Sequence, residues 1–319
     1  MTHEPDFPLV ERIRSAVDSR IIRTPLLRSD WLSSLTGTEV FLKCENLQIT
    51  GSFKIRGGFA ALEIEQTDSV VAATAGNHGQ GLARAAATAG IKCTIVVPLN
   101  VPGVKERSIR SYGARVVRSP FEGYDETEAW MLEHREEFGS TVISPFDHPG
   151  VIAGNGGTTA LEIFEDMKDV DAVVIPCGGG GCAIGAGIVA EVKSPDTKIT
   201  AVNTDASAGM WLSRRDRRVY TKVKGKPTIA EGIEGGISVV SYDLGNKYID
   251  DVVVVKEKTI RSAVASIALN ENMIVEGAGS AGVAALMEGL VEGERICVIL
   301  TGSNIDRELL ARLLMEFRP

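Results

Sequence analysis

Short apolar runs alternate with segments of helical periodicity along the first half of the chain. The apolar runs predict strands at residues 40–44, 69–74, 93–97, 114–117 and 141–143. Segments whose apolar positions recur every three or four residues predict helices at residues 7–20, 104–112 and 123–137. Two further helices are predicted, one that begins near residue 53 and another that ends at residue 89. This alternation implies right-handed crossovers and a parallel sheet covered by helices on both faces.

The second half repeats the pattern after a polar interruption. Residues 145–150 read as a linker, and residues 209–242 are the least regular part of the chain. Strands are predicted at residues 171–176, 198–202, 251–255 and 295–300, and helices at residues 183–192, 258–269, 280–286 and 304–315. Two separate sheets are therefore expected.

Two of the predicted strands end in small residues and lead directly into helices. The first strand leads into the small residues of segment 74–79, and the second leads into the four consecutive glycines of residues 178–181. Such a junction directs unpaired backbone N–H groups at whatever lies above the sheet, which suits an anion. The alternatives are a glycine turn needed only for tight helix packing, or a dinucleotide loop, although the G-x-G-x-x-G spacing is imperfect.

A lysine stands at the predicted start of the helix that follows residue 53. Residues 51–58 read GSFKIRGG, which places Lys54 in the first helical turn. The positive end of the helix dipole disfavours a cation there and favours the neutral amine. A neutral lysine amine is a potential nucleophile for an aldehyde.

Composition restricts the class of protein. The chain has 319 residues, 44% hydrophobic and 24% charged, enough for about two domains. A net charge of -8 argues against a nucleic-acid partner, and the first residues are neither basic nor followed by an apolar signal core. No apolar run has membrane-spanning length, so we expect a cytoplasmic protein with no membrane partner. The five cysteines lack paired short spacing, which predicts buried thiols rather than disulfides or a metal site.

Four segments resemble, in the same order, those of the fold-type II pyridoxal phosphate (PLP) enzymes. They are residues 51–58, 74–79, 178–181 and 300–304, and the likeness is to the serine/threonine dehydratase and serine racemase family. The resemblance implies an α/β fold of two open, twisted, mostly parallel sheets covered by helices, like the tryptophan synthase β-subunit. It also implies a large PLP-binding domain of residues 1–53 and 150–319, and a small substrate-loop domain of residues 54–149.

The same resemblance assigns residues to the site. Lys54 would be the catalytic residue that bonds to the cofactor aldehyde. The cofactor-binding set would be Phe53, Lys54, Asn77, Gly178, Gly179, Gly180, Gly181, Glu276 and Thr301. The substrate-binding set would be Ser52, Thr74, Ala75, Gly76, Asn77 and His78.

Thr301 also bears on the type of reaction. In the family, the hydroxyl at this position faces the pyridine nitrogen. A neutral hydroxyl can donate to an unprotonated ring nitrogen, whereas a carboxylate would hold that nitrogen protonated. The weaker electron sink favours loss of a β-leaving group over transamination.

Position 75 distinguishes the reactions within this family, and two further positions argue against a divalent-metal site. Serine racemases carry a serine where this chain has Ala75, and eukaryotic racemases place carboxylate metal ligands where it has Asn203 and Gly209. The resemblance therefore favours α,β-elimination from a small L-β-hydroxy amino acid, giving a 2-oxo acid and ammonia, in a homodimer or higher homo-oligomer. The alternatives are a PLP-dependent β-replacement synthase, a serine racemase, a nicotinamide-dependent oxidoreductase using the glycine loop, and a non-catalytic cofactor-binding sensor.

Two segments depart from the family pattern. Residues 153–159 read AGNGGTT, one residue longer than the usual Ala-Gly-Gln-Gly-Thr, and Glu231 replaces the usual aspartate. Both segments lie near the substrate side chain in relatives, so threonine is not assured as the preferred substrate.

Overall fold

The computed structural model describes residues 4–101, 103–138 and 141–317 and contains two sheets. The larger has six strands in the order β1-β2-β10-β7-β8-β9, and the smaller has four in the order β5-β4-β3-β6. The strands are β1 Leu26–Arg28, β2 Glu39–Lys43, β3 Ser69–Ala73, β4 Lys92–Val97, β5 Arg115–Arg118, β6 Thr141–Val142, β7 Ala172–Pro176, β8 Lys198–Thr204, β9 Asp251–Val255 and β10 Arg295–Ile299. All strand pairs are parallel except β1 with β2. The predicted fold class is confirmed.

Helices cover both sheets. They are α1 Phe7–Val17, α2 Asp30–Thr36, α3 Lys54–Glu65, α4 Asn77–Ala89, α5 Gly103–Ser111, α6 Tyr124–Glu133, α7 Arg135–Phe138, α8 Pro149–Ile152, α9 Thr158–Asp166, α10 Gly181–Lys193, α11 Gly209–Asp216, α12 Val239–Tyr248, α13 Glu257–Asn270, α14 Gly277–Met287 and α15 Arg307–Glu316. A π-helical turn, Ala153–Gly157, joins α8 to α9. Among the described residues, no helix combines the length and apolar character needed to span a membrane.

The strands are apolar because helices cover them on both faces. Every residue of β7 is buried, and so are all but the first residue of β3, β4 and β8. Strands enclosed in this way read as continuous apolar runs, which is why the sequence revealed them. All five cysteines are also buried, as predicted.

Some sequence predictions were wrong. Residues 145–150 are not simply a linker, because α8 begins at Pro149 and continues through the π turn into α9, which was not predicted. Residues 209–242 contain α11, a 3-10 turn at Glu231–Ile233 and the start of α12. The predicted helix at residues 123–137 is divided into α6 and α7 at His134. Helix α2 was also missed.

The division into two domains stays a prediction. The smaller sheet is built from residues 69–142, inside the predicted small domain, and the larger sheet from residues outside it. Residues 1–3, 102, 139–140 and 318–319 of the predicted domains lie outside the described residues. The prediction of localisation relied in part on residues 1–3, which are among them.

The topology brings the predicted site segments together at the carboxyl ends of strands. Cys177 follows β7 and Leu300 follows β10, and these two strands are neighbours. Thr74 follows β3 of the smaller sheet, where α4 begins three residues later. In open α/β sheets this edge forms the usual ligand crevice.

Candidate active site

Lys54 is the first residue of α3, as predicted, and its side chain turns into the protein. The Ser52 hydroxyl accepts a hydrogen bond from the Lys54 backbone N–H at 3.2 Å, which holds the start of the helix. The Lys54 Nζ donates to the Pro145 carbonyl at 3.0 Å. Burial lowers the pKa of Lys54 to about 8, so a substantial neutral fraction exists near neutral pH. The sequence argument invoked the helix dipole, but burial is the main cause.

The glycine loop lies beside the residue that follows Pro145. A Cβ on Gly179 would overlap the Phe146 ring, and one on Gly181 would overlap the Phe146 carbonyl. Gly180 has a φ of 91°, in the left-handed region that favours glycine, and α10 begins at Gly181. The loop therefore requires glycine for close packing, and its backbone N–H groups stand at a helix N-terminus. Pro145 thus contacts the Lys54 amine, and the next residue, Phe146, contacts the glycine loop.

Asn77, Glu276 and Gly302 meet on another side of the site. The Asn77 amide Nδ2 donates to Glu276 Oε1 at 2.6 Å, and its Oδ1 accepts from Asn304 Nδ2 at 2.7 Å. A Cβ on Gly302 would lie 2.5 Å from Glu276 Oε1 and 3.1 Å from Asn77 Nδ2. Glu276 precedes α14, yet its carboxylate binds Asn77 instead of capping that helix. Burial raises the pKa of Glu276 to about 7, which places its titration near neutrality.

The predicted substrate loop is a tight turn before α4. The Gly76 N–H donates to the Thr74 hydroxyl at 3.2 Å, and α4 starts at Asn77. Buried His78 lies 3.2 Å from the Ile143 carbonyl through Nε2, so this nitrogen carries the proton. Burial lowers the pKa of His78 to about 3, and its Nδ1 has no hydrogen-bond partner. His78 is therefore neutral at physiological pH.

Residues 300–304 pack directly against the start of α3. The Phe53 N–H donates to the Thr301 carbonyl at 3.2 Å, and Ser52 forms an isolated antiparallel bridge with Gly302. The Asn304 Nδ2 also donates to the Thr50 carbonyl at 2.9 Å. All four sequence segments are thus neighbours in space.

A buried ionic cluster surrounds Arg56, two residues after Lys54 in α3, and the sequence reasoning missed it. The Arg56 guanidinium binds the carboxylates of Glu45 and Glu162, at 2.7 Å each for the closest atoms. The Lys43 Nζ donates to Glu162 at 2.5 Å and to the Thr24 carbonyl at 2.7 Å. These partners lie far apart in the chain, so no local pattern identifies them. The cluster fixes α3 two residues from the catalytic candidate.

Further contacts at the edge of the site also had no sequence signal. Lys105 on α5 forms an ion pair with Glu231, one of the departures from the family pattern. Buried Asn203 donates to the Cys177 carbonyl at 2.6 Å and accepts from the Trp211 N–H at 2.9 Å. Asn203 therefore ties the residue before the glycine loop to α11. Over the part of the chain that the structure describes, no group of three or more His, Cys, Asp or Glu could hold a metal ion.

Comparison with known proteins gives matches along nearly the whole chain. A family model described as pyridoxal-phosphate dependent enzyme matches residues 17–302. The L-threonine ammonia-lyase of Thermotoga maritima is 39% identical over 313 residues, which cover 96% of this chain and 77% of the relative. A putative threonine dehydratase of Sinorhizobium fredii is 38% identical over 309 residues, covering 94% of this chain and 92% of the relative.

Solved structures agree with the sequence relatives. Maize serine racemase superposes with a TM-score of 0.90 at 27% identity, covering 98% of each chain. The processed form of threonine deaminase isoform 2 from Solanum lycopersicum superposes with a TM-score of 0.87 at 31% identity, covering 98% of this chain and 88% of the other.

The residues of the site fit the cofactor that these matches imply. A buried amine of lowered pKa can bond to an aldehyde, and the glycine loop offers backbone N–H groups at the start of α10 to a phosphate. The absence of a Cβ at Gly302 lets Asn77 and Glu276 pack against the backbone there, where a side chain would collide. The cofactor is pyridoxal 5'-phosphate, and the chain belongs to the pyridoxal-phosphate dependent enzymes, within the branch of the threonine ammonia-lyases and serine racemases.

Proposed function

We propose that this enzyme is an ammonia-lyase that removes the hydroxyl and amino groups of a small L-β-hydroxy amino acid, releasing a 2-oxo acid and ammonia. The observation that carries the proposal is the Lys54 amine, which is enclosed, has a lowered pKa and lies beside the glycine loop through Pro145 and Phe146. The curated relative at 39% identity, an L-threonine ammonia-lyase, supports the same reaction class.

The cofactor, when bound, withdraws electrons from the substrate α-carbon and so makes its proton removable. We assign the four glycines 178–181 to the phosphate and residues 74–78 to the substrate carboxylate, because both segments present backbone N–H groups at a helix start. Phe53 would contact the cofactor ring and Ser52 the substrate, each beside Lys54 at the start of α3. Asn77 and Glu276 would contact one edge of the ring and Thr301 the ring nitrogen.

Lys54 would hold and move the α-proton. Its neutral form can accept that proton, and a pKa of about 8 lets the conjugate acid give it up again while the β-hydroxyl takes up a proton and leaves as water. His78 is kept neutral by burial, with Nε2 directed at the Ile143 carbonyl, so we assign it no proton transfer. A single acid-base group on one side of the substrate favours elimination over racemisation.

Ala75 is the residue that favours the lyase over the racemase within this branch. It lies in the turn before α4, and unlike the serine that resembles it in the racemases, its side chain has no proton to give. The match to maize serine racemase supports the shared fold, whereas the sequence relatives at 38–39% identity are named threonine lyases or dehydratases. Threonine and serine are therefore the first substrates to test.

Release of a 2-oxo acid is the direct test of this proposal. Purified enzyme is incubated with L-serine, L-threonine, 3-hydroxyaspartate and aryl-serines, and the products are measured with a lactate dehydrogenase or hydrazone assay. We expect release from at least one compound, and none after Lys54→Ala. A yellow protein that releases nothing from any of them would support the sensor, and D-serine from L-serine without 2-oxo acid would support the racemase. Dinucleotide binding without cofactor colour would support the oxidoreductase.

We further expect a cytoplasmic homodimer or higher homo-oligomer. Light scattering of the purified protein after size exclusion tests the oligomeric state, and a mass equal to one chain would contradict it. Fractionation of the source cells tests the localisation.

A further inference from the structure

Residues 153–157 form the only π-helical turn among the described residues. The Thr158 N–H reaches back five residues to the Ala153 carbonyl, while Ile152 and Thr158 on either side keep ordinary right-handed helical dihedral angles. A π turn contains one residue more than an α-helical turn, so an added residue can be absorbed without breaking the helix. The hydroxyls of Thr158 and Thr159 donate to the Gly154 and Asn155 carbonyls at 2.5 and 2.7 Å.

The π turn is enclosed between α3 and α10. A Cβ on Gly154 would lie 2.7 Å from the Arg56 carbonyl of α3, and one on Gly156 would overlap the Cys182 carbonyl of α10. All five residues of the turn are buried. The turn therefore occupies a fixed place between the helix that carries Lys54 and the helix that follows the glycine loop.

Asn155 projects from this turn to the start of α3. Its side-chain Oδ1 accepts a hydrogen bond from the Gly57 N–H at 2.8 Å. In α3 the Arg56 N–H bonds to the Phe53 carbonyl at 3.0 Å in a tightened first turn, and the Lys54 N–H bonds to Ser52. The Gly57 N–H is thus one of the donors that a helix start leaves to be satisfied from outside.

The contact between Asn155 and Gly57 is too close for any other residue at position 57. A Cβ at position 57 would lie 2.6 Å from Asn155 Oδ1, so the amide fits only against glycine. Asn155 is 2% exposed, and no solvent is at hand to replace its oxygen. Loss of this acceptor would leave a buried N–H group unpaired, which is more costly than loss of the hydrogen bond itself.

We propose that Asn155 is a positioning residue for Lys54, and that the π turn that carries it serves to bring its amide to Gly57. Asn155 touches neither cofactor nor substrate in this account. It holds the first turn of α3, three residues from the Lys54 backbone, so that the amine keeps its direction towards the site. The inference rests on the proposed function of Lys54.

The test compares Asn155→Leu, which keeps the volume but removes the acceptor, with Asn155→Asp, which keeps the acceptor oxygen. Thr197→Val is the control, because it also removes the hydrogen bonds of a buried side chain, to the Val170 carbonyl at 2.6 Å and to the Ser194 hydroxyl at 2.8 Å, away from α3. The first readout is hydrogen exchange of the peptide covering residues 54–58, measured by mass spectrometry in the cofactor-free and cofactor-bound protein. The second is kcat and KM for a hydroxy amino acid that the enzyme turns over.

We expect Asn155→Leu to speed exchange at residues 54–58 about tenfold or more. It should also lower kcat by about tenfold with KM within about twofold, since a displaced Lys54 affects the proton transfer more than substrate binding. Asn155→Asp should stay within about threefold of wild type in both readouts, since a carboxylate oxygen can accept the same hydrogen bond. Thr197→Val should lower the melting temperature while leaving both readouts unchanged.

Wild-type exchange at residues 54–58 in Asn155→Leu, or a fall in kcat no larger than that of Thr197→Val, would overturn the proposal. If Asn155→Leu does not fold, Asn155→Ser replaces it, because the shorter side chain cannot reach Gly57. If the enzyme turns over no hydroxy amino acid, the proposed function fails, but hydrogen exchange in the cofactor-free protein still decides whether Asn155 holds the start of α3. The two failures are therefore distinguishable.

Discussion

Replacing Arg56 with methionine would test whether the buried ionic cluster supports the site. Arg56 and Lys43 face Glu45 and Glu162, and all four side chains are at most 3% exposed. The two positive and two negative charges balance. Methionine has similar length without charge, so Arg56→Met leaves one carboxylate without a counter-charge inside the protein.

The expected loss follows from that uncompensated charge. Arg56 donates to Glu45 through Nε and Nη2 at 2.9 and 2.7 Å, to Glu162 through Nη1 and Nη2 at 2.7 and 3.0 Å, and to the Thr158 hydroxyl at 3.2 Å. Removing one partner from a buried ion pair costs about 3–5 kcal/mol. Folded proteins are stable by only about 5–15 kcal/mol, so urea denaturation would detect the loss easily. The surface variant Arg261→Met, which breaks the pair with Glu316, should lose far less.

The pH dependence adds a second test of the same cluster. Burial alone would raise the pKa of Glu45, but the charge and hydrogen bonds of Arg56 lower it overall. A lowered pKa contributes stability above the unfolded-state pKa and loses it as the pH falls. In Arg56→Met, Glu45 can bind a proton in mild acid, which removes the uncompensated charge. The difference in unfolding free energy from wild type should therefore shrink between pH 8 and pH 5.

Two results would refute this reasoning. One is a loss of unfolding free energy in Arg56→Met, relative to wild type, that is no larger than the loss in Arg261→Met. The other is a difference from wild type that grows as the pH falls, which would mean that an unpaired carboxylate is not the cause. The double variant Arg56→Met/Glu45→Gln removes one charge of each sign and should recover part of the loss.

Two further predictions concern the cofactor site. Gly179→Ala places a Cβ within the Phe146 ring, so the cofactor dissociation constant, followed by visible absorbance, should rise by about tenfold or more. Gly225→Ala, where the nearest atom would be 3.4 Å away, should leave the constant unchanged. Glu276 has a pKa of about 7 because of burial, so Glu276→Gln should remove a spectroscopic titration of the bound cofactor near that pH. An unaltered titration would assign it to another group.

The sequence predicted the sheets and the site segments because their signals are local. Strands such as β7 are enclosed on both faces and read as unbroken apolar runs. The start of α3 at Lys54 and the glycine loop before α10 were also legible, since turn residues and glycines mark helix boundaries. Each of these features is specified within about ten residues, the usual window for such patterns.

What could not be predicted depends on contacts between distant segments. Helix α9 was missed although Ala160, Leu161 and Ile163 give it an apolar face. The glycine-rich turn 153–157 before it has no helical signal of its own, and it is held in a helical form by packing between α3 and α10. Helix α12 was missed although Ser238 caps it, since its polar and apolar positions are mixed. The Arg56 cluster joins residues up to 119 positions apart, as Lys43 with Glu162, and leaves no periodic signal. The lowered pKa of Lys54 likewise follows from burial, which the sequence does not specify.

The covalent state of Lys54 tests the central claim most directly. The cofactor-bound enzyme is treated with borohydride and digested, and the modified peptide is identified by mass spectrometry, with Lys54→Ala treated in parallel. We predict that the cofactor is fixed on Lys54 alone, that the visible colour disappears on reduction, and that Lys54→Ala carries no adduct. An adduct on any other lysine, or an unmodified Lys54 in a protein that had bound the cofactor, would contradict the account.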